Sequence, residues 1–157
     1  MSKILTIEKA INYAKRFRAQ GKTIVLAGGC FDVLHQGHKI FLKQAKEKGD
    51  VLFVMLESDE RIKSIKGKGR PINTQSQRAE ALSDLPEIDY IIMLPILRNN
   101  TDYDEMISAL KPAIIATTKG DPYRFHKERQ ADHIGALVCD VTDRIPEYST
   151  SQLIEDK

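Results

Sequence analysis

The amino-acid sequence predicts an α/β protein built on a single doubly wound, Rossmann-like parallel sheet of five strands, with helices on both faces. Three observations predict this fold class: short apolar runs without alternation, amphipathic segments between those runs, and a glycine pair directly after the first run. Unbroken apolar runs are typical of strands buried on both faces. Strands that alternate with helices favour a parallel sheet with right-handed crossovers. The length of 157 residues suits one domain over residues 1–157.

The first half of the chain contains two predicted helices and two predicted strands. The leading helix lies within residues 1–21, and we expect its apolar face to pack on the core (Ile7, Ala10, Ile11, Ala14 and Phe17). Residues 23–27 and 51–56 are the first two strands because they are short and continuously apolar. The helical pattern over residues 37–48 connects them and closes at a glycine.

The second half repeats this alternation. Two helix starts have the Ser/Thr-x-x-Gln spacing of a capping box, namely Thr74 with Gln77 and Ser149 with Gln152. The first box predicts a helix through about Leu85, and the second predicts a short C-terminal helix over residues 149–157. The other elements follow in the order strand 90–94, helix 102–110, strand 113–116 and strand 136–139.

Composition excludes several classes of protein. Cys30 and Cys139 are far apart and lack metal-ligand spacing, so we expect no disulfide framework and a reducing, cytoplasmic location. No apolar run approaches the roughly 20 residues of a transmembrane helix. Charged residues interrupt the N-terminal apolar positions, which argues against a signal peptide. The sequence therefore predicts a cytoplasmic protein without a membrane partner.

Basic residues concentrate in one segment, although the net charge is only +2. Residues 61–78 contain six basic side chains and no acidic one. A local positive field suits an anionic ligand, and the same charges are also compatible with a solvated surface. Nucleic-acid binding would require interleaved aromatic residues or a recognition motif, and the segment has neither. We therefore expect no nucleic-acid partner.

The most informative segment follows the first predicted strand and reads Gly28-Gly29-Cys30-Phe31-Asp32-Val33-Leu34-His35-Gln36-Gly37-His38. Glycines let the backbone turn sharply and approach a ligand closely, and N–H groups at a helix start bind anions. His35 and His38 share one face of a helical turn. Two imidazoles there would meet the charge that develops when a phosphoanhydride breaks. Taken alone, the pair is also compatible with surface histidines, and a zinc site lacks further ligands at a familiar spacing.

The string Gly29-Cys30-Phe31-Asp32-x-x-His35-x-Gly37-His38 resembles the signature of the HxGH nucleotidyltransferase superfamily, the cytidylyltransferase-like proteins. Within it, the chain is most similar to the adenylyltransferase domain of bacterial heptose-1-phosphate enzymes, with glycerol-3-phosphate cytidylyltransferases as near relatives. Further matches cover most of the chain: Ala45-Lys46-x-x-Gly49-Asp50, Ser58-Asp59, Ile65 to Asn73, Gln77-Arg78-Ala79-Glu80, Asp89-Tyr90, Leu110-Lys111-Pro112 and Tyr148 to Ser151. The resemblance implies one nucleotidyltransferase domain.

The resemblance also implies a reaction. A phosphate oxygen of the acceptor would attack the α-phosphorus of a nucleoside triphosphate, and pyrophosphate would leave without a covalent enzyme intermediate. Catalysis would consist of positioning and charge neutralisation. The implied catalytic residues are His35, His38, Lys66 and Arg78. Mg²⁺ would accompany the triphosphate, held mainly by phosphate oxygens, and its protein ligands stay open.

The implied nucleotide-binding residues come from separate parts of the chain. N–H groups around Gly29, Cys30 and Phe31 would hold phosphates. Asp121 aligns with a residue that lies near substrate or metal in relatives. The remaining residues surround a predicted helix start, whose hydroxyl and N–H groups would form a second anion site (Arg144, Tyr148, Ser149, Thr150 and Ser151). Simple N-capping by Ser149 is compatible with that role.

The expected substrates are ATP or CTP and a phosphorylated small molecule. The heptose resemblance implies transfer of a nucleoside monophosphate to a sugar phosphate, a step toward activated sugars for cell-surface polysaccharides. The arginine at position 144 is instead similar to one that glycerol-3-phosphate cytidylyltransferases carry there. It implies glycerol 3-phosphate or another small phosphorylated alcohol as the acceptor. Residues 122–133 depart from the heptose pattern and are expected to shape the acceptor pocket, with His126 and His133 as surface residues. A non-catalytic nucleotide-binding module is the alternative of another class, and a homodimer is compatible with the resemblance.

Overall fold

A computed structural model of the chain describes residues 2–143. Its sheet has six strands, all parallel, in the spatial order β1-β4-β3-β2-β5-β6. The strands are β1 (Ile4–Leu5), β2 (Ile24–Gly29), β3 (Val51–Leu56), β4 (Tyr90–Met93), β5 (Ile114–Lys119) and β6 (Leu137–Asp143). The helices are α1 (Ile7–Ala19), α2 (Gln36–Lys46), α3 (Asp59–Lys66), α4 (Gln75–Ser83), α5 (Asn100–Leu110) and α6 (Arg124–Ile134).

The prediction of five strands was wrong by one strand, whereas the parallel α/β architecture is confirmed. The additional strand is β1, which pairs with β4 through Ile4 opposite Ile91 and Leu5 opposite Ile92. Two residues are too few to show a periodic pattern, so the sequence alone gives no strand signal there. The partner strand decides that this short segment is extended.

The order of the strands reverses at β2. From β2 the chain proceeds through β3 and β4 toward one edge of the sheet, and then returns to place β5 on the other side of β2. In open parallel sheets, ligands bind beyond the carboxyl ends of the strands at such a reversal. The end of β2, at Gly28 and Gly29, is therefore the position that the topology offers for a site.

The two faces of the sheet bury separate cores because side chains alternate along each strand. In β2, Ile24 and Leu26 face the core beneath α1, α5 and α6, whereas Val25 and Ala27 face the core beneath α2 and α4. This alternation explains why the strands carry apolar residues at every position, as the sequence pattern indicated. Helices on both faces confirm the doubly wound arrangement.

Two of the helices, α3 and α6, were not predicted. Ser58 caps α3 by accepting a hydrogen bond from the N–H of Arg61. The charged side chains of α3 complement the helix dipole, since they are acidic in the first turn and basic in the last. Only Ile62 of this helix is buried. The sequence of α3 therefore has no amphipathic stripe, and such a stripe is the signal that identifies most helices. None of the helices in residues 2–143 has the length and apolarity needed to span a bilayer.

Gly49 is required by close packing in the turn between α2 and β3. A Cβ atom there would lie 2.7 Å from Cγ2 of Val25 and 2.9 Å from the carbonyl oxygen of Thr23. We expect Gly49→Ala to lower the free energy of unfolding by about 1–3 kcal/mol through overpacking. Urea denaturation of this variant and of Lys48→Ala, an exposed neighbour, measures the effect. Equal midpoints for the two variants would contradict it.

Candidate active site

The two histidines of the motif form the start of α2. His35 is the N-cap residue, and its Nδ1 accepts the N–H of Gly37 at 3.1 Å. Nδ1 of His38 accepts the N–H of His35 at 3.3 Å, which completes a capping box made of two imidazoles. The rings stack with centroids 3.8 Å apart. The structure thus brings the predicted pair together at a helix N-terminus, where backbone N–H groups favour an anion.

These contacts determine the chemical state of the imidazoles. Burial, together with the charges of His35 and Lys66, lowers the pKa of His38 to about 3. Burial also lowers the pKa of His35. In a neutral ring whose Nδ1 accepts a hydrogen bond, the proton is on Nε2. Both rings are therefore uncharged and carry their proton on Nε2, the form that donates rather than accepts at that atom.

The segment over residues 28–34, called here the glycine loop, leads from the last two residues of β2 to α2 and turns sharply at Phe31, whose φ is +49°. This value is rare for a bulky residue. The turn buries the Phe31 ring against His38, with ring centroids 5.1 Å apart. A Cβ atom on Gly29 would lie 2.9 Å from that ring, so the ring requires glycine at this position. Gly29, Cys30 and Phe31 thus form a compact turn beside the histidine pair.

Asp32 joins this loop to the segment that follows α3. Its side chain is 1% exposed and accepts N–H groups from Ile72 and Asn73, each at 2.8 Å. Nε of Arg70 donates to the same carboxylate at 2.9 Å. Burial alone would raise the pKa of Asp32, but the hydrogen bonds from Asn73, Ile72 and Arg70 outweigh it and lower the pKa. Sequence reasoning assigned no role to this residue, although it lies within the motif.

Arg78 is placed beneath the loop rather than at its surface. The residue is 1% exposed, and its guanidinium donates to the carbonyl oxygens of Asn73 and Cys30 and to the carboxylate of Asp59. The Cys30 contact is 2.8 Å and the Asp59 contact 2.7 Å. In this arrangement Arg78 holds the glycine loop against α3 and α4. A direct contact between Arg78 and a phosphate stays a prediction.

A cavity of about 300 Å³ opens at the carboxyl ends of β2 and β3, between α3, α5 and α6. The glycine loop forms one wall through Gly28, Gly29 and Cys30. Lys66, exposed at the end of α3, lies on the rim, close enough to oppose with its charge the burial that raises the pKa of Cys30. Lys66 also acts on the pKa of His38. The lysine therefore lies between the histidine pair and the cavity.

Residues 122–133 contribute to the cavity. Their role in shaping an acceptor pocket stays a prediction. Tyr123, His126, Lys127 and Gln130 line the cavity. His126 is half-buried and lines the cavity from α6, whereas His133 is exposed. The unpredicted helix α6 supplies this wall.

Asp121 lies just after β5, and its carboxylate already accepts three hydrogen bonds. Its carboxylate accepts Thr117 Oγ1 at 2.7 Å, Lys127 Nζ at 2.6 Å and the N–H of Tyr123 at 2.9 Å. Burial would raise the pKa of Asp121, but the bonds from Lys127 and Thr117 outweigh it and lower the pKa. Asp121 thus orients Lys127 at the cavity. Its contact with a nucleotide stays a prediction.

An acidic and aromatic cluster at the cavity was missed by sequence reasoning. The Tyr103 hydroxyl donates to the carboxylate of Glu57, with oxygen distances of 2.9 and 3.0 Å. The Arg61 guanidinium lies 5.7 Å from the centroid of the Tyr103 ring. One signal was available, because Glu57 directly follows a predicted strand, at the carboxyl edge where sites form. No spacing in the sequence pairs it with Tyr103.

Five predicted nucleotide-binding residues, Arg144, Tyr148, Ser149, Thr150 and Ser151, lie outside the described residues. Within residues 2–143, no cluster of three or more His, Cys, Asp or Glu side chains could hold a metal ion. Binding of Mg²⁺ together with the triphosphate stays a prediction.

The site thus consists of a parallel sheet that opens at its point of reversal onto a glycine loop and a histidine-capped helix. The family model described as cytidylyltransferase-like matches residues 26–155. The chain therefore belongs to the cytidylyltransferase-like family, as the motif indicated.

Curated relatives include several proteins named Bifunctional protein HldE. The protein from Nitratiruptor sp. is 44% identical over 142 residues, and the one from Desulfatibacillum aliphaticivorans is 31% identical over 158 residues. The matches cover 90% and 99% of this chain but 29% and 31% of those relatives. The chain thus spans less than a third of the length of these relatives.

Solved structures show the same fold. The lipopolysaccharide core biosynthesis protein from Thermoplasma volcanium superposes with a TM-score of 0.63 at 27% identity, over 79% of this chain and 98% of that one. Pantoate-beta-alanine ligase from Francisella tularensis has a TM-score of 0.65 at 15% identity, over 92% of this chain and 68% of that one. The second likeness concerns the fold alone.

The Asp32 contacts predict a pH-dependent contribution to stability. Because the folded pKa is lowered, the contribution is complete above the ordinary value of 3.8 and is lost as the pH falls through the folded value. Asp32→Asn breaks a buried ion pair, so we expect the free energy of unfolding at pH 7 to fall by about 3–5 kcal/mol. Urea denaturation at pH 7 and at pH 3 tests this, with Asp132→Asn, an exposed position, as the control. A difference between the variants that persists unchanged at pH 3 would contradict the linkage.

Proposed function

We propose that the protein transfers a nucleoside monophosphate from ATP or CTP to a phosphorylated sugar resembling heptose 1-phosphate, and releases pyrophosphate. The observation that carries this proposal is the histidine-capped start of α2 beside the glycine loop, which opens onto a separate cavity. The start of α2 with the glycine loop suits a triphosphate, and the adjoining cavity suits an acceptor. The two regions meet at Lys66 and Cys30.

The triphosphate side of the proposal follows from the donors at α2. Neutral imidazoles with protons on Nε2 and backbone N–H groups of the glycine loop would stabilise charge on the α-phosphate and on the leaving pyrophosphate. Preorganised neutral donors need little rearrangement during the reaction. Lys66 would add a positive charge between donor and acceptor. No covalent intermediate is required, because the acceptor phosphate itself is the nucleophile.

Mg²⁺ would be held mainly by phosphate oxygens of the triphosphate, where it supplies charge neutralisation. The residues that this chain contributes act beside it, since His35 and His38 orient the phosphates and Lys66 approaches the acceptor. By resemblance to the family, the hydroxyl and N–H groups of residues 148–151 would bind the triphosphate.

The proposed class of acceptor rests on the volume of the cavity and on the names of the relatives. A volume of about 300 Å³ is at the lower limit of ordinary ligand pockets, and it exceeds what a three-carbon alcohol fills. The match to proteins named HldE and to a lipopolysaccharide core biosynthesis protein supports a heptose-like sugar and a step in cell-surface polysaccharide synthesis. A cytidylyltransferase for glycerol 3-phosphate is the second candidate, favoured by Arg144 in the sequence.

Pyrophosphate release tests the proposal directly. The purified chain is mixed with Mg²⁺, with ATP or CTP, and with heptose 1-phosphate, mannose 1-phosphate or glycerol 3-phosphate. We expect release with one nucleotide and a sugar 1-phosphate, because both halves of the site are then filled. Preference for glycerol 3-phosphate with CTP would support the second candidate. Nucleotide binding without release from any pair would indicate a non-catalytic module and would refute the enzyme proposal.

His38→Ala is expected to lower kcat by about two orders of magnitude or more, the scale for loss of one preorganised donor to transition-state charge. The variant also removes the acceptor for the His35 N–H, so circular dichroism should accompany the kinetics. His133→Ala, an exposed histidine on α6, is the matched control and should retain normal turnover. Near-normal kcat in His38→Ala would mean that the chemistry lies elsewhere.

A further inference from the structure

Glu57 is fixed in position by the backbone of the glycine loop. It follows β3 directly, and its N–H donates to the carbonyl oxygen of Gly29 at 3.1 Å. The side chain is 16% exposed and lines the cavity beside Cys30 and Lys66. A carboxylate is therefore held at the floor of the proposed acceptor pocket, next to the loop that would bind phosphates.

This carboxylate has acceptor capacity that the described residues do not use. Two carboxylate oxygens can accept about four hydrogen bonds. Among residues 2–143, the Tyr103 hydroxyl is the only donor within hydrogen-bond distance, and it has a single proton to share between oxygens 2.9 and 3.0 Å away. Nε of Arg61 is 3.9 Å from the nearer oxygen, too far for a hydrogen bond. The carboxylate, 16% exposed at the cavity, can therefore accept further hydrogen bonds from hydroxyl groups of a ligand there.

The groups around Glu57 keep it oriented toward the cavity. Burial and the Glu57 charge raise the pKa of Tyr103, so its hydroxyl stays protonated and donates. Burial raises the pKa of Glu57, while the Tyr103 hydrogen bond and the Arg61 charge oppose that shift. Tyr103 is thus a positioning residue, because its hydroxyl donates to the carboxylate, and the Arg61 charge acts on the same carboxylate.

The charges of the cavity discriminate between classes of ligand. Among the lining residues within 2–143, three are cations, Arg61, Lys66 and Lys127, and Glu57 is the only acidic one. A cationic acceptor such as phosphocholine would meet this positive excess. A second anionic group on the acceptor would meet Glu57 itself. A neutral hydroxylated body with one phosphate fits both conditions, with the phosphate at Lys66 and hydroxyls at Glu57.

We propose that Glu57 is a specificity-determining residue that accepts hydrogen bonds from hydroxyl groups of the acceptor, in the manner of a carboxylate bound to the adjacent hydroxyls of a sugar. The inference rests on the proposed function, since it assigns the acceptor to this cavity. Hydrogen bonds to a charged group in a water-poor site discriminate strongly against analogues that lack the donor. Glu57 would thereby select polyhydroxylated acceptors over plain alkyl phosphates.

The test is calorimetric binding of heptose 1-phosphate to the full chain, in the presence of a non-hydrolysable ATP or CTP analogue, compared with kinetics. We expect Glu57→Gln to weaken heptose 1-phosphate binding and raise its KM about ten- to hundredfold, the range for one hydrogen bond to a charged group. The affinity for the nucleotide analogue and for ethyl phosphate, which lacks hydroxyls, should change less than about twofold. Glu105→Gln, an exposed glutamate on α5, is the matched control and should leave binding unchanged.

The outcomes separate this inference from the proposed function. Turnover in the wild-type protein with unchanged heptose 1-phosphate binding in Glu57→Gln refutes the role of Glu57 and leaves the function intact. Binding without turnover, lost in Glu57→Gln, supports Glu57 and refutes the reaction. Tighter binding of phosphocholine than of heptose 1-phosphate refutes both the hydroxyl assignment and the sugar acceptor. If Glu57→Gln does not fold, Tyr103→Phe decides: a severalfold weaker binding of heptose 1-phosphate, with ethyl phosphate unaffected, supports the inference, and no change refutes it.

Discussion

The buried carboxylate of Asp32 is the contact on which the rest of the site depends. It binds the backbone of Ile72 and Asn73 and the guanidinium of Arg70, and so joins the loop after β2 to the segment between α3 and α4. Asn73 returns the contact by donating its side-chain amide to the Asp32 carbonyl oxygen. Two loops that are distant in sequence thereby become one layer over the carboxyl edge of the sheet. Lys66, at the end of α3 just before one of them, and the histidines after the other are brought to the same region.

Below this layer, Arg78 performs a related task from the opposite side. It binds the Cys30 carbonyl oxygen and the Asp59 carboxylate, so the glycine loop, α3 and α4 share one buried cation. Arg78 is fully buried whereas Asp59 is 40% exposed, so loss of Asp59 would leave an uncompensated charge beneath the loop. The neutral imidazoles of His35 and His38 directly follow the glycine loop that Arg78 binds. The site therefore concentrates charge in its scaffold, and presents uncharged donors at the start of α2 with Lys66 beside them.

How much of this could be predicted from sequence depended on the kind of signal. The strands β2 to β6 were recognisable because burial on both faces leaves a continuous apolar run, and Thr74 with Gln77 identified the start of α4 by its capping spacing. β1 and α3 were missed, because a two-residue strand has no period and a helix with one buried side chain has no stripe. The histidine pair was found by its motif. Asp32 lies in the same motif, but its role depends on Arg70 to Asn73, to which no sequence spacing points.

By itself, the sequence determined the class of fold, the family and the location of the motif at the end of the first long strand. These properties are local, since periodicity, capping and a short signature are written within a few turns of chain. The tertiary structure alone decided which residues face the cavity and in what state. Glu57, Tyr103 and Lys127 come from three different elements, and only the packing of α3, α5 and α6 around the sheet brings them together. The burial that lowers the pKa of His38, and the partners that occupy Arg78 and Asp121, likewise arise from contacts between distant parts of the chain.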